Sequence, residues 1–294
     1  MTALRRVVQF ALTTAAVAFA IYQWQLRPPS GTVARTFAHG GRERRYLVHP
    51  GPGEAKAGLL LVLHGSGGRG RLVERRTGFD DRAERAGIVT AYPDGIDAVW
   101  NDGWRPDSTV DDVGFLSALA SALAAEFHID PAHVYATGFS NGAGMAHRLA
   151  CESGVFSAIA PVGGYPPSHI LERCNNSQPV SVLDVHGTAD PVVPYEPLAR
   201  VLQRWASHDA CTEPTESVAL PDTDPDDGTR VRRDEYRGCR GARLVLYSIE
   251  GGGHTWPGEE PDFWRRSGHV SRDIDASALI LDFVLAAPAP AAAH

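Results

Sequence analysis

Gly138-Phe139-Ser140-Asn141-Gly142 sets a serine between glycines, after the apolar run Val134–Thr137 and ahead of the helix-like stretch Ala143–Ala150. Flanking glycines permit a turn sharp enough to lift a serine side chain above a sheet. The pentapeptide arises readily by chance in a chain with 30 glycines, so its weight comes from the strand-motif-helix order. A serine hydroxyl is a weak nucleophile until a base takes its proton and a third group orients that base. On a sheet of this kind the acid, then the histidine, follow the serine in the chain. Asp190 lies in Asp184-Val185-His186-Gly187-Thr188-Ala189-Asp190-Pro191, directly after the run Val180–Val185. That is the strand end at which such sheets meet their ligands. Asp184 sits inside the run and should point away from that end. A plainer role for Asp190 is an Asx turn before Pro191. His254 follows the run Leu244–Ile249 in Glu250-Gly251-Gly252-Gly253-His254-Thr255-Trp256-Pro257-Gly258, where the glycines free the backbone to carry an imidazole toward Ser140. His269, in a polar loop with no strand before it, reads as a surface residue, and His147 as packing or surface.

Acyl transfer also needs donors aimed at a developing oxyanion. The run Leu59–Leu63 ends in His64-Gly65-Ser66-Gly67-Gly68, a turn that can present the Ser66 N–H, with Asn141 N–H as the second donor. A phosphate-cradling loop is disfavoured there, because GxxxxGK[ST] is absent. Trp100 and Trp104 are candidate flat walls for a sugar or aromatic acyl group, or core residues. Trp256, two residues after the histidine, is a candidate pocket wall. Asp111-Asp112 opens a helix, with Thr109-x-x-Asp112 as a capping pattern.

These turns need strands and helices in alternation. Apolar runs at Gly58–His64, Ile88–Tyr92, Val134–Thr137, Ala158–Val162, Val180–Val185 and Leu244–Ile249 are nearly continuous, as expected of parallel strands covered on both faces. Val113, Leu116, Leu119, Leu123 and Phe127 recur at helical spacing, and Ile274–Val284 reads as a last helix. The pattern predicts an α/β fold with one doubly wound, mostly parallel sheet and helices on both faces. Arg27–Gly41 reads as a tether or an edge, and the acidic stretch Pro221–Asp227 as a solvated loop.

The 294 residues suit one large domain, 27–285, with a disordered Ala/Pro tail at 286–294. With Lys+Arg 28 against Asp+Glu 35 the net charge is −7, which argues against a nucleic-acid partner. Arg5 and Arg6 precede an uncharged stretch from Val7 to Trp24, with Ala18-Phe19-Ala20 as a small-residue cleavage site. Residues 1–26 therefore read as a secretory signal peptide or an uncleaved N-terminal membrane anchor. Either places the body outside the cytoplasm, secreted or tethered. Four cysteines suit that destination; they fall as local pairs, Cys151 with Cys174 and Cys211 with Cys239, among three possible connectivities. No CxxC or HExxH occurs, so neither metal nor organic cofactor is expected.

Together the motifs resemble the exported polyhydroxybutyrate depolymerase and feruloyl esterase group of α/β hydrolases. The resemblance rests on Leu63-His64-Gly65 with its Ser-Gly-Gly, Val110-Asp111-Asp112-Val113-Gly114-Phe115, Gly138-Phe139-Ser140-Asn141-Gly142-Ala143-Gly144-Met145, His186-Gly187-Thr188-Ala189-Asp190 and Gly253-His254-Thr255-Trp256-Pro257-Gly258, over about residues 35 to 285. It implies an α/β-hydrolase fold, a triad at Ser140, Asp190 and His254, and two cysteine pairs like those above. Many members have Cys where this chain has Ser66, a change that should leave the backbone donor intact. The implied function is a serine esterase acting on feruloyl or acetyl esters of plant polysaccharide, or on hydroxyalkanoate esters. No separate polymer-binding module is expected after the body, which favours soluble oligomers or small esters. A peptidase of the same fold and a non-enzymatic envelope protein are the rival classes.

Overall fold

The computed structural model describes residues 31–51, 53, 56–259 and 267–288. The signal or anchor expected over 1–26 and most of the Ala/Pro tail lie outside the described residues. Ten strands form one sheet: β1 (Val33–His39), β2 (Arg42–His49), β3 (Gly58–Leu63), β4 (Ile88–Pro93), β5 (Val134–Phe139), β6 (Ala158–Val162), β7 (Ser181–Gly187), β8 (Glu213–Ala219), β9 (Arg230–Arg237) and β10 (Leu244–Glu250). Their order is β1-β2-β4-β3-β5-β6-β7-β10-β9-β8. From β4 to β10 the neighbours run parallel, and an antiparallel pair closes each flank.

All the predicted strands are present, and the near-continuous apolar runs have the expected cause. Leu59, Leu61 and Leu63 of β3 enter one core and Leu60 and Val62 the other, so both faces are dry. Each buried leucine contributes about 1.5–3 kcal/mol relative to an exposed one. The described helices are α1 (Gly70–Thr77), α2 (Phe79–Ala86), α3 (Asp112–Glu126), α4 (Asn141–Glu152), α5 (Ser168–Glu172), α6 (Leu198–His208) and α7 (Ala276–Leu285). Residues of α3, α4 and α6 line the first core and those of α1, α2 and α7 the second, giving helices on both faces of the sheet.

At the edges the structure chooses among the sequence alternatives and adds strands that the apolar runs did not announce. Val33–His39, within the stretch read as a tether or an edge, is strand β1, paired along its length with β2. β8 and β9 flank the acidic loop. β1 exposes Val33, Ala34, Thr36 and Ala38, and β9 carries charged residues along its length, so these strands lack the buried apolar run that announces a central strand. The α3 cap also shifts: Asp111, not Thr109, is the N-cap, its Oδ1 accepting the Gly114 N–H at 2.8 Å. Asp112 is buried against Arg44 at 2.7 Å and also accepts the Asn101 N–H, which ties α3 to β2 and to the loop carrying the tryptophans. The cysteines pair as Cys151–Cys174 and Cys211–Cys239.

Candidate active site

β5 ends at Phe139 and α4 begins at Asn141, leaving Ser140 alone to make the turn. Its backbone lies at φ 56°, ψ −116°, a region that a non-glycine residue occupies only when its surroundings enforce it. The enforcement is visible. Ser140 N–H donates to Val162 O at 2.9 Å, and the Ser140 carbonyl accepts the N–H groups of Ala143 and Gly144. The chain leaving β6 crosses immediately behind, where Gly163 has φ +63° and a Cβ at Gly164 would collide with the Ser140 carbonyl oxygen. Gly163-Gly164 is a site element that sequence reasoning missed; the available signal was a glycine pair directly after a buried strand.

Asp190 sits on the turn after β7. Its Oδ1 accepts the N–H groups of Val192 and Val193 at 2.7 and 2.8 Å, and its Oδ2 lies 2.7 Å from His254 Nδ1. The Asx turn and the partnership with histidine thus use different oxygens of one carboxylate. Burial pushes the Asp190 carboxyl up, but the bond with His254, its charge and the Val193 and Val192 N–H groups outweigh burial and hold it below the ordinary value of 3.8. Asp184 lies within β7 on the face covered by α4, fully buried, 3.3 Å from His147 Nε2. His147 Nδ1 accepts the Trp205 indole N–H at 3.0 Å, so both belong to the interior beneath the elbow helix.

His254 is brought over by the glycine loop after β10. Gly253 N–H donates to His269 O at 2.9 Å and His254 N–H to Ser267 O at 2.6 Å, while Ala189 N–H donates to Gly252 O. His269 therefore supports this loop through its carbonyl, with an exposed ring that lies against Gly228. The His254 ring stacks at 4.7 Å on Phe139, the residue before Ser140, and a Cβ at Gly163 would stand 3.5 Å from its Nδ1. An imidazole fixed at Nδ1 by a carboxylate leaves Nε2 to act as a base.

The glycine turn after β3 meets the elbow from the other side, with a Cβ at Gly65 standing 3.4 Å from Ser140 Cβ. Gly67 N–H donates to Ala98 O and Gly68 N–H to Gly65 O, while Ser66 N–H has no acceptor among the described residues. Asn141 N–H, at the first position of α4, has no intrahelical acceptor. The Asn141 side chain pins the next loop, accepting the Trp100 N–H at 2.7 Å and donating to Trp100 O and to Asp102 Oδ2 at 2.6 Å. His64 completes the lattice: Gly95 N–H donates to its Nε2, and burial lowers its pKa, in keeping with a neutral ring. A cavity of about 370 Å³ opens over these turns, walled by Ser66, Ser140, Asn141, Trp104 and Tyr165 among others.

Two of the three tryptophans are not walls of that cavity. Trp100 is fully buried, its indole N–H donating to His64 O at 2.9 Å. Trp256 is buried in the second core, edge-on to Phe79 with its N–H on Ser277 Oγ. The chain turns inward right after the glycine loop, so Trp256, two positions beyond His254, points to α2 and α7 instead of the cleft. Trp104 is 58% exposed and borders the cavity, with its indole N–H held by Tyr165 O at 3.0 Å. Among the described residues, no group of three or more His, Cys, Asp or Glu is placed to hold a metal ion.

The likeness to known proteins can be weighed against this geometry. No protein-family model matches the chain. A protein of Nocardia uniformis subsp. tsuyamanensis named as an esterase, NocK, is 32% identical over 86% of this chain and 83% of its own length. The chain belongs to the feruloyl esterase-type α/β-hydrolase family. A second relative, from Aspergillus terreus and named as a feruloyl esterase C, is 30% identical over 67% of this chain and 69% of its own. The α/β-hydrolase fold is shared with a solved acetyl xylan esterase from Aspergillus awamori, at a TM-score of 0.62 and 16% identity over 76% of this chain and 94% of that one. In this α/β hydrolase the turn at Ser140, the loop carrying His254 and the glycine turn lie at the carboxyl ends of β5, β10 and β3, where the fold binds its ligands.

Proposed function

We propose that this protein is a serine carboxylesterase working through an acyl-enzyme. One observation carries the reading: a turn serine at positive φ, preceded by the Phe139 ring on which packs an imidazole whose Nδ1 lies 2.7 Å from the Asp190 carboxylate. Ser140 attacks the ester carbonyl as His254 Nε2 takes its proton, and the same proton passes to the departing alcohol. Asp190 holds the ring and stabilises its cation. Ser66 and Asn141 N–H groups receive the oxyanion, and water then repeats the sequence on the acyl-enzyme.

The relatives' names and the exposed indole of Trp104 support small or oligomeric esters as substrates, either feruloyl or acetyl esters of plant polysaccharide or hydroxyalkanoate oligomers. Two disulfides support a chain that folds in an oxidising compartment, secreted or held by its N-terminal segment. The test is hydrolysis of methyl ferulate and of a 3-hydroxybutyrate oligomer by the full chain, with Ser140→Ala as control. Turnover of either, lost in the variant, is the expected result, and the ratio of the two assigns the acyl group. Failure to turn over these and activated short-chain esters, with wild type and variant alike, would overturn the reading in favour of a non-enzymatic role.

A further inference from the structure

Trp104 and Tyr165 stand between two clefts. On one side is the cavity containing Ser140; on the other is a cleft of about 450 Å³ that shares both residues. The partition is fixed, since the indole N–H donates to Tyr165 O and the Tyr165 hydroxyl donates to Pro194 O at 2.8 Å. A substrate lying across it therefore spans both clefts without any rearrangement. Pro166, Pro167 and Pro197 offer the second cleft apolar ring faces.

Its charged residues are Arg200, Arg204 and Glu172. Arg200 and Arg204 are exposed and four apart on α6, a spacing at which like charges repel. On α4 the same spacing holds an opposite pair, Arg148 with Glu152 at 2.8 Å. Arginines elsewhere likewise find carboxylates, as in Arg35–Glu126 and Arg272–Asp224. Neither Arg200 nor Arg204 has a carboxylate partner among the described residues. Arg105, on the Ser140 side of Trp104, is set by charge against the buried Asp102, which also accepts the Asn141 amide N–H and the Trp104 N–H. The lining of the second cleft thus sets two guanidinium groups against the one carboxylate of Glu172, a net positive charge that favours an anion. The planar guanidinium matches a carboxylate in a two-bond fork.

We propose that the cleft beyond Trp104 holds a carboxylate of the ester being cleaved, through Arg200 and Arg204. The inference rests on Ser140 being the nucleophile and names the substrate class: esters whose acyl or alcohol part ends or branches in a free carboxylate. Such a group can be the terminal acid of a hydroxyacid oligomer or a uronate on a polysaccharide.

The test measures kcat and KM for the full chain on two matched pairs. One pair is a 3-hydroxybutyrate trimer as free acid and as methyl ester; the other is a feruloylated xylo-oligosaccharide with and without a uronate branch. In at least one pair the acid form is expected to have about tenfold higher kcat/KM, expressed in KM, equivalent to one well-used ion pair at the surface of a cleft. The advantage shrinks as ionic strength rises from about 0.05 to about 0.5 M, a readout that needs no variant. Arg200→Gln with Arg204→Gln removes it, and the paired lysine variants retain most of it. The pair showing the advantage identifies the source of the carboxylate. Equal efficiencies within both pairs overturn the inference while leaving the esterase reading intact, and an advantage surviving the glutamine pair overturns the role of these arginines. Absence of turnover on all four esters overturns the subsite, and only with p-nitrophenyl acetate also untouched does the esterase reading fall with it.

Discussion

Ser140 is held by its backbone, Asp190 by bonds to both its oxygens, and His254 by its Nδ1, which leaves the Ser140 hydroxyl and the His254 Nε2 for the proposed chemistry. The backbone strain at Ser140 is sustained by hydrogen bonds from three neighbours, so removing the hydroxyl should leave the turn intact. Ser140→Ala is expected to lower kcat on p-nitrophenyl acetate by on the order of 10⁴-fold or more, with an unchanged circular dichroism spectrum. The two aspartates of β7 and its turn are separated by the same logic. Asp190→Asn leaves the imidazole without its orienting charge and should cost roughly 10³–10⁴-fold in kcat. Asp184→Asn disturbs a buried pair with His147 and should lower the melting temperature, with kcat held within about tenfold. The opposite ranking in kcat would refute the choice of acid. Because Asp190 titrates below the ordinary 3.8 in the folded protein, its stabilising contribution is complete above that value. It is lost as pH falls through the lowered one.

The site is made where elements end, so the critical contacts are backbone against backbone. Gly163-Gly164 lets the chain leaving β6 pass behind the elbow, and the base loop of β10 lies against the turn after β7 through Ala189 and Gly252. Gly164→Ala should drive the Ser140 carbonyl out of its position. The expected outcome is a loss of about 100-fold or more in kcat from misplacing the nucleophile by a fraction of an ångström or more, with a smaller effect on KM. Steady-state kinetics together with a melting curve separate this from unfolding: a variant of wild-type activity would show that the elbow tolerates the displacement. The strand-turn-helix order of the elbow was legible because buried parallel strands are apolar on both faces and stand out in the chain. The edge strands were not, since half of each faces water and their partners are set by sheet pairing.

For the whole molecule, stability is tied to two features remote from the cleft. Burial pushes the Glu74 carboxyl up to about 8, with the charge of Asp80 adding to the rise. The folded state thus holds this proton more tightly than the unfolded chain, with its ordinary value of 4.5. The associated stability is complete below about 4.5 and is lost as pH rises through about 8. Glu74→Gln should flatten the decline in melting temperature between those two values, and an unaltered decline would assign it to other groups. Each disulfide closes a loop of 23 or 28 residues and contributes about 3 kcal/mol by loop closure. Reductant should lower the melting temperature by several degrees or more; unchanged melting together with four free thiols in the native protein would contradict the pairing.

Residue order alone determined the fold class and the strand-turn-helix at Ser140, and set Asp190 and His254 after later strands, because those features lie in short segments whose local physics is self-contained. Apolar runs make strands, and glycines make the turns that end them. Tertiary structure decided what depends on segments distant in the chain. Asp190 divides its oxygens between a local turn and His254, 64 residues away. Trp100 and Trp256 pass into the cores while Trp104 faces the cleft, a choice made by the packing of His64, Phe79 and Tyr165 around them. Arg200 and Arg204 line the cleft beyond Trp104 only because α6 packs beside the chain leaving β6. The tryptophans share one side-chain chemistry, and whether each is core or wall follows from which neighbours the fold gives it.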